Sequence, residues 1–325
     1  MVDRTFEKVS RSTVVPVIAV IGATGKQGGG LAKAILNDPA RRFSLRALTR
    51  KADSPAALEL VTAGAEVLAA DLDDERTLVP AFTGVHGVFA LTDFWEHFSP
   101  EREVAQAGNI ARAVQKAAVA HVIWSTLEDT RQFVPLSDSR LPTLRGKYKV
   151  PHHDGKGEAD ALFAGLPATC LRTVFYWENL IHHGMGPRRD KDGKLSFVLP
   201  IGDAKLPGIA VADIGAVALE IFERGDQMAG KTIGIAGEHL TGYEMAAGLS
   251  RAMGEPVTHY AMSPADYAKL GIPGADDLAN MFWFNRAFER EYCASRPVED
   301  TRILYPGLQS FRQWLERNAE MLAVG

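Results

Sequence analysis

The amino-acid sequence predicts a doubly wound α/β protein, a parallel sheet covered by helices on both faces, followed by a smaller α+β C-terminal lobe. Three observations carry this prediction. Apolar, β-branched runs alternate with helical patterns at intervals of roughly 25 residues, the rhythm of strand, helix, strand units. Several runs are apolar at nearly every position, as in Val17-Ile18-Ala19-Val20-Ile21, which a strand buried on both faces requires. A glycine-rich turn joins the first run to the first helical pattern.

In chain order, residues 1–13 are polar and lack a period, and are expected as a loose N-terminal tail. Residues 14–173 are expected to form the sheet domain. Its strands fall at Val15–Ile21, Phe43–Thr49, Glu66–Ala70, Gly87–Thr92, His121–Ser125 and Ala168–Thr173. Its helices fall at Lys26–Asn37, Pro55–Ala63, Glu75–Phe82, Arg102–Ala118 and Asp154–Phe163, each with apolar residues at helical spacing. After Thr173 the alternation breaks, and glycine, proline and short apolar pieces run through Gly208. The smaller lobe, 174–325, is expected to contain helices at Asp213–Phe222 (capped by Asp213), Tyr243–Met253, Ser263 through Lys269, and Gln309–Leu322. Residues 209–236, ending in a strand at Lys231–Ala236, are expected to return to the main sheet.

Composition narrows the function. The chain has 325 residues, 46% apolar and 23% charged, enough for one large core or two ordinary ones. Against 36 basic residues stand 40 acidic ones, a net charge of −4, so no positive excess exists to hold nucleic acid. Two cysteines, Cys170 and Cys293, exclude a disulfide framework and a cysteine-rich zinc module, and fit a reducing, cytoplasmic setting. The most apolar early stretch, Val14–Ala23, is about half of what a membrane-spanning helix needs, so neither a signal nor an anchor is expected.

The strongest chemical signal is Gly22-Ala23-Thr24-Gly25-Lys26-Gln27-Gly28, between a strand and a helix. Glycines 22 and 25 suit a tight turn and close approach of backbone N–H groups to a pyrophosphate at the helix's positive end. Gly28 lets the helix lie against the sheet. The context predicts a Rossmann-type dinucleotide site. A free ribose 2′-hydroxyl normally meets an acid about 20 residues on, whereas a 2′-phosphate needs a cation. Here the second strand ends at Thr49-Arg50-Lys51, and the one acid between Gly28 and that point, Asp38, belongs to a helix end. Arg50 can fork onto the phosphate and stack on adenine, with Lys51 adding charge, so NADP(H) is the expected cofactor. Asp71-Leu72, ending the third strand, can reach the adenine edge. Thr92-Asp93-Phe94-Trp95, after the fourth, lies on the nicotinamide side.

The usual proton donor of such sites, a tyrosine four residues before a lysine, is absent at all seven tyrosines. His152 and Lys156 have that spacing instead. His152 can serve as general acid with Lys156 on the nicotinamide ribose, or only pack at the cleft while the lysine binds cofactor. Ser125 can orient a substrate carbonyl or simply end its strand. No metal site is expected, because the adjacent histidines at 152–153 and 182–183 point apart and no helical His-x-x-x-His pair occurs. The strand-to-helix turn of a serine hydrolase would carry Gly-x-Ser-x-Gly, and this one has no serine.

Four stretches carry a resemblance to a known family: Gly22 through Gly29, His152-His153-Asp154-Gly155-Lys156-Gly157-Glu158, Tyr176-Trp177-Glu178-Asn179-Leu180, and Asp266-Tyr267 through Leu270-Gly271 to Asp277-Leu278-Ala279-Asn280-Met281-Phe282. Together they make the chain, from Val17 to its last helix, resemble the NmrA-like branch of the atypical short-chain dehydrogenases, in particular its redox-sensing members. The resemblance implies that NADP(H) is held by the glycine loop, Arg50, Asp71, Thr92 to Phe94, Lys156 and Tyr176 to Asn179; the smaller lobe is expected to close the crevice with Tyr176, Trp177, Asn179 and Phe282 or Trp283. Two functions are expected to compete, the absent phenol favouring the first and the intact lysine and aromatic cleft leaving the second open. One is a regulator whose association with a partner protein, or as a homodimer, follows the NADPH to NADP+ ratio. The other is an NADPH-dependent reductase of a small carbonyl, imine or conjugated alkene, with His152 or water as proton donor. The chain departs from redox-sensing relatives at Ala105-Gln106-Ala107-Gly108, where a cofactor-side lysine is replaced, and at His153, which replaces an aromatic residue.

Overall fold

The computed structural model describes residues 15–182 and 184–322, so the expected tail and His183 lie outside the described residues. Six parallel strands form as the periodicity requires: β1 (Val17–Ile21), β2 (Ser44–Thr49), β3 (Glu66–Ala69), β4 (Gly87–Ala90), β5 (His121–Thr126) and β6 (Ala168–Arg172). Thr232–Gly234 adds a seventh, parallel to β6. The spatial order is Thr232–Gly234, β6, β5, β4, β1, β2, β3. Because β1 pairs with β2 on one side and β4 on the other, the chain winds outward both ways from it. That reversal opens a crevice at the carboxyl ends of β1 and β4.

The helices of this half are α1 (Lys26–Leu36), α2 (Pro55–Thr62), α3 (Glu75–Phe82), α4 (Phe94–His97), α5 (Pro100–Lys116) and α6 (Pro151–Ala159). Alternate residues of β1 point to opposite faces. Ile18 and Val20 meet Leu31 and Ile35 of α1 and Ile214, Val217 and Phe222 of the helix Val211–Arg224. Ala19 and Ile21 meet the layer of Leu78, Phe82, Ala107, Ile110 and Val114 from α3 and α5. Each Val, Leu, Ile or Phe among these contributes about 1.5–3 kcal/mol by leaving water, which is why a strand between two helical layers is apolar throughout. Local caps set the ends: Ser54 accepts from the Ala57 N–H and Ser99 from the Arg102 N–H, each followed by proline at the first helical position. Proline at 100 explains why α5 begins before the expected Arg102.

Beyond β6, two small sheets form. Lys205–Ile209 lies between Phe175–Tyr176 and Glu238–Thr241, and Leu195–Val198 between Arg188–Arg189 and Val257–Tyr260. Phe197, Leu206, Leu249, Phe282, Phe311 and Trp314 build their core. Asp213 does not cap its helix. It sits buried inside the first turn and accepts from the N–H and side-chain amide of Gln309, both at 2.9 Å, while Glu178 accepts from the Val211 N–H at 3.0 Å. The helix expected through Lys269 ends at Tyr267. Helices at Ala275–Ala287, Glu289–Ala294 and Val298–Leu304 were not anticipated. The first of these buries Asp277, Asn280 and Asn285 beside Phe282 and Phe284, so no apolar stripe betrays it.

Candidate functional site

At the crevice, Gly22 has φ +63°, a backbone conformation that glycine adopts without strain. Its carbonyl accepts from the Gly25 N–H at 2.8 Å. A Cβ at Gly28 would stand 2.3 Å from the Gly22 carbonyl oxygen and 2.5 Å from that of Ile21, so α1 can start this close to β1 only with glycine there. The helical ladder begins with Gly29 donating to Gly25 at 3.0 Å, which leaves the N–H groups of Lys26, Gln27 and Gly28 in an unladdered first turn beneath exposed Thr24 and Gly25. This cradle fits a diphosphate.

Gln27 links the loop to both halves of the molecule. Its amide nitrogen donates to the Tyr176 hydroxyl, and its amide oxygen accepts from the Ser125 hydroxyl at 2.8 Å. Tyr176 in turn shares a 3.2 Å hydrogen bond with the Thr173 hydroxyl, and burial pushes its phenol up to about 12. Ser125 is therefore committed to Gln27. The Lys26 ammonium reaches Asn179 Oδ1 at 3.3 Å, and burial lowers its pKa against the opposing charges of Glu178 and Asp93.

At the adenosine end, Arg50 pairs with Glu96 of α4 and Lys51 is exposed. Asp38 pairs with Arg42 at 3.0 Å at the end of α1, away from the ribose position expected from the loop. The Asp71 carboxylate accepts from the Asp73 N–H at 2.9 Å, and the Leu72 carbonyl from Asn109 at 2.7 Å. Both residues thus shape the turn after β3.

At the nicotinamide end, Lys156 donates to the carbonyl and hydroxyl of Thr92, each at 3.0 Å, and pairs at 3.0 Å with Glu103, which is fully buried. The other Glu103 oxygen, Oε2, is buried without a hydrogen-bond partner. Asp93 caps α4 by accepting from the Trp95 N–H, and Phe94 is buried. His152 Nδ1 contacts Asp277 Oδ1 at 2.5 Å, and the His152 N–H donates to Asp277 Oδ2 at 3.1 Å. The carboxylate can only accept, so the Nδ1–H tautomer is selected and Nε2 is left outside that contact. Trp95 and Phe94 lie 4.9 and 5.9 Å from the imidazole, centroid to centroid. A cavity of about 240 Å³ adjoins this pair, lined by Phe94, Phe98, Arg145, Pro151, Pro273 and Asp277 among others. Asn280, one turn after Asp277, donates to the carbonyls of Pro142 and Lys149 and so seats the start of α6. Gly157 lets the turn after β5 approach, since a Cβ would fall 2.4 Å from the Asp129 nitrogen.

His153 is buried next to Glu128, and burial holds its pKa well below the ordinary value, with the charges of His152, Arg296 and Lys156 adding to the effect. Glu128 itself forms a buried two-pronged pair with Arg296.

Two expected cofactor residues have other work. Trp177 is a core residue packed on Phe311 and Trp314, at 5.4 and 6.2 Å. Glu178 binds the Trp314 indole and the Val211 N–H, each at 3.0 Å. Adjacent residues of an extended segment point to opposite sides, so with Tyr176 toward the glycine loop its neighbour Trp177 faces the other core. Phe282 is likewise fully buried, against Tyr267. Glu96, Glu103, Asp277, Glu128 and Arg296 were missed. Glu103 had a legible signal, an acid in register with Ala107 and Ile110 on the apolar stripe of α5, where a charge needs a partner. Among the described residues no cluster of three or more His, Cys, Asp or Glu side chains can hold a metal ion, and no helix is long and apolar enough to cross a membrane.

Comparison with known proteins bears on this arrangement. FrzB of Cladobotryum sp, an NmrA-like family domain-containing oxidoreductase, is 28% identical over 305 residues, covering 87% of this chain and 88% of its own. The NAD(P)H azoreductase of Xenophilus azovorans is 28% identical over 267 residues, covering 81% and 84%. Among solved structures, the negative transcriptional regulator NmrA in complex with NADP superposes with a TM-score of 0.75 at 22% identity, over 94% of this chain and 96% of that one. The Citrobacter sp. triphenylmethane reductase complexed with NADP(H) gives 0.71 at 21%, over 93% and 99%, and both likenesses show a shared fold. A model of the NmrA-like family matches residues 16–315, and the chain belongs to that family.

Proposed function

We propose that this chain is an NADP(H)-dependent reductase of a small carbonyl, imine or conjugated alkene, with His152 as proton donor. The observation that carries the reading is the Asp277 carboxylate on His152 Nδ1, His152 having the four-residue spacing to Lys156 that related sites give their proton-donating phenol. The glycine cradle and Arg50 supply what a diphosphate and a 2′-phosphate require. Relatives named as oxidoreductases, including one named for NAD(P)H, support it. NADPH, when bound by the glycine cradle, would supply the hydride that such a reduction needs. His152 would give a proton to the heteroatom where negative charge collects, and recover one from solvent. Asp277 fixes the tautomer and orientation of the ring. Lys156 is positioned for the ribose by Thr92 and Glu103, and must exchange one of its three contacts to bind it.

One observation favours a ratio-sensing role. Trp95 and Phe94 cover His152, and Lys156 has no spare proton, so cofactor entry has to rearrange this end of the crevice. NADPH consumption with menadione, 2-cyclohexenone and 1-pyrroline separates the two. Turnover that falls at least tenfold in His152→Gln supports the reductase. Absence of turnover, with a sedimentation change between NADPH and NADP+, refutes it in favour of the sensor.

A further inference from the structure

We propose that Glu96 is a specificity-determining residue for the cofactor: its carboxylate occupies, on Arg50, the place of the 2′-phosphate, and so competes with NADP(H) but not with NAD(H). The proposal rests on the NADP(H) reading above.

Arg50 follows β2, where a Rossmann-type crevice distinguishes a ribose phosphate from a hydroxyl. Its partner comes from α4, 46 residues on, at the far side of the crevice mouth. Since β1 lies between β4 and β2, the pair reaches across the end of the strand that carries the glycine loop. Glu96 is placed there by local structure. Asp93 caps α4, Phe94 anchors it in the core, and Phe98 ends it in a left-handed turn with φ +54°. Among the described residues Glu96 is the only carboxylate paired with Arg50.

The chemistry of the exchange follows from charge. A guanidinium binds a carboxylate and a phosphate through the same planar fork. The Arg50 side chain is 60% exposed and that of Glu96 42%, so an incoming phosphate can reach the pair and displace the weaker anion. The displaced Glu96 stays close to the field of Arg102, which is itself held by Asp73. NAD(H) carries no phosphate at this position and leaves the pair intact. Glu96 therefore reduces the advantage of NADP(H) over NAD(H) without touching the diphosphate cradle.

Calorimetric titration of wild type, Glu96→Gln, Arg50→Ala and the double variant with NADPH and with NADH tests this. Glu96→Gln is expected to bind NADPH about two- to fivefold more tightly, as loss of an exposed ion pair permits, with NADH affinity unchanged and the melting temperature lowered by no more than about 4 °C. In the Arg50→Ala background the same substitution is expected to change nothing. An equal gain for both cofactors, a gain that survives without Arg50, or no gain overturns the proposal. Weaker NADPH binding also overturns it, by making Glu96 a residue that positions Arg50 for the phosphate. Wild-type protein that binds no NADPH at all refutes the cofactor reading itself, a result distinct from normal binding that is indifferent to Glu96.

Discussion

Replacing Glu128 by glutamine leaves the shape of the Arg296 site intact and removes its charge. Arg296 is fully buried, and a guanidinium does not shed its proton, so the folded variant carries an uncompensated charge. Its remaining contacts are the Thr173 carbonyl at 3.2 Å, the Ser295 hydroxyl at 2.8 Å and the Tyr292 ring, 4.0 Å from the guanidinium carbon to the centroid. None is an anion. Breaking a buried pair on one side costs about 3–5 kcal/mol. At about 2–4 °C per kcal/mol for a chain of this size class, the melting temperature falls by roughly 6–20 °C. The loss also has a pH signature. Burial pushes the Glu128 carboxyl up, but the charge and hydrogen bonds of Arg296 outweigh that and hold it below the ordinary 4.5. A carboxyl depressed in the folded state contributes stability that is present above its unfolded value and is lost as pH falls through the folded one. The deficit of Glu128→Gln is therefore full at pH 7 and shrinks below about pH 4. Scanning calorimetry and urea unfolding across this range measure both, and pairing Glu128→Gln with Arg296→Met is expected to recover part of the loss. A fall of less than about 2 °C at pH 7 would refute the buried charge as the origin of the effect.

The remaining predictions concern histidine and the buried Trp177. Burial lowers His121 to about 4 and His153 well below its usual value, so both are neutral when folded and take up protons only on unfolding. Stability from these two groups is complete above pH 6.5 and declines as pH drops toward 4, His121 alone contributing up to roughly 3 kcal/mol. The His121 imidazole should not titrate above about pH 5, the His153 imidazole should titrate well below the ordinary histidine range, and a midpoint near 6.5 at either ring contradicts this reading. Trp177→Phe should cost about 1–3 kcal/mol of stability through lost packing on Phe311 and Trp314, with NADPH affinity within about twofold of wild type. A tenfold affinity loss at unchanged stability would return Trp177 to the crevice.

Short-range rules made much of this protein legible in its sequence. Apolar runs at period two and stripes at helical spacing are set by which residues can face a core, so six strands and five helices of the first half are readable within a few residues. The glycine loop is local too: the turn at Gly22 and the close approach at Gly28 concern atoms only a few residues apart. The place of Arg50 was readable because the Rossmann topology puts the end of β2 beside that loop whatever the rest of the chain does. Tertiary packing alone decided the partners of the buried charges. Asp277 lies 125 residues from His152, Glu128 lies 168 from Arg296, and nothing near either member announces the other. Packing also chose which of Tyr176 and Trp177 would face the glycine loop, since an extended segment offers both faces and only the second core determines which one it fills. The physical reason is the range of the forces. Backbone propensity and turn sterics act over a few bonds, whereas a charge removed from water must find its counterpart wherever the fold delivers it.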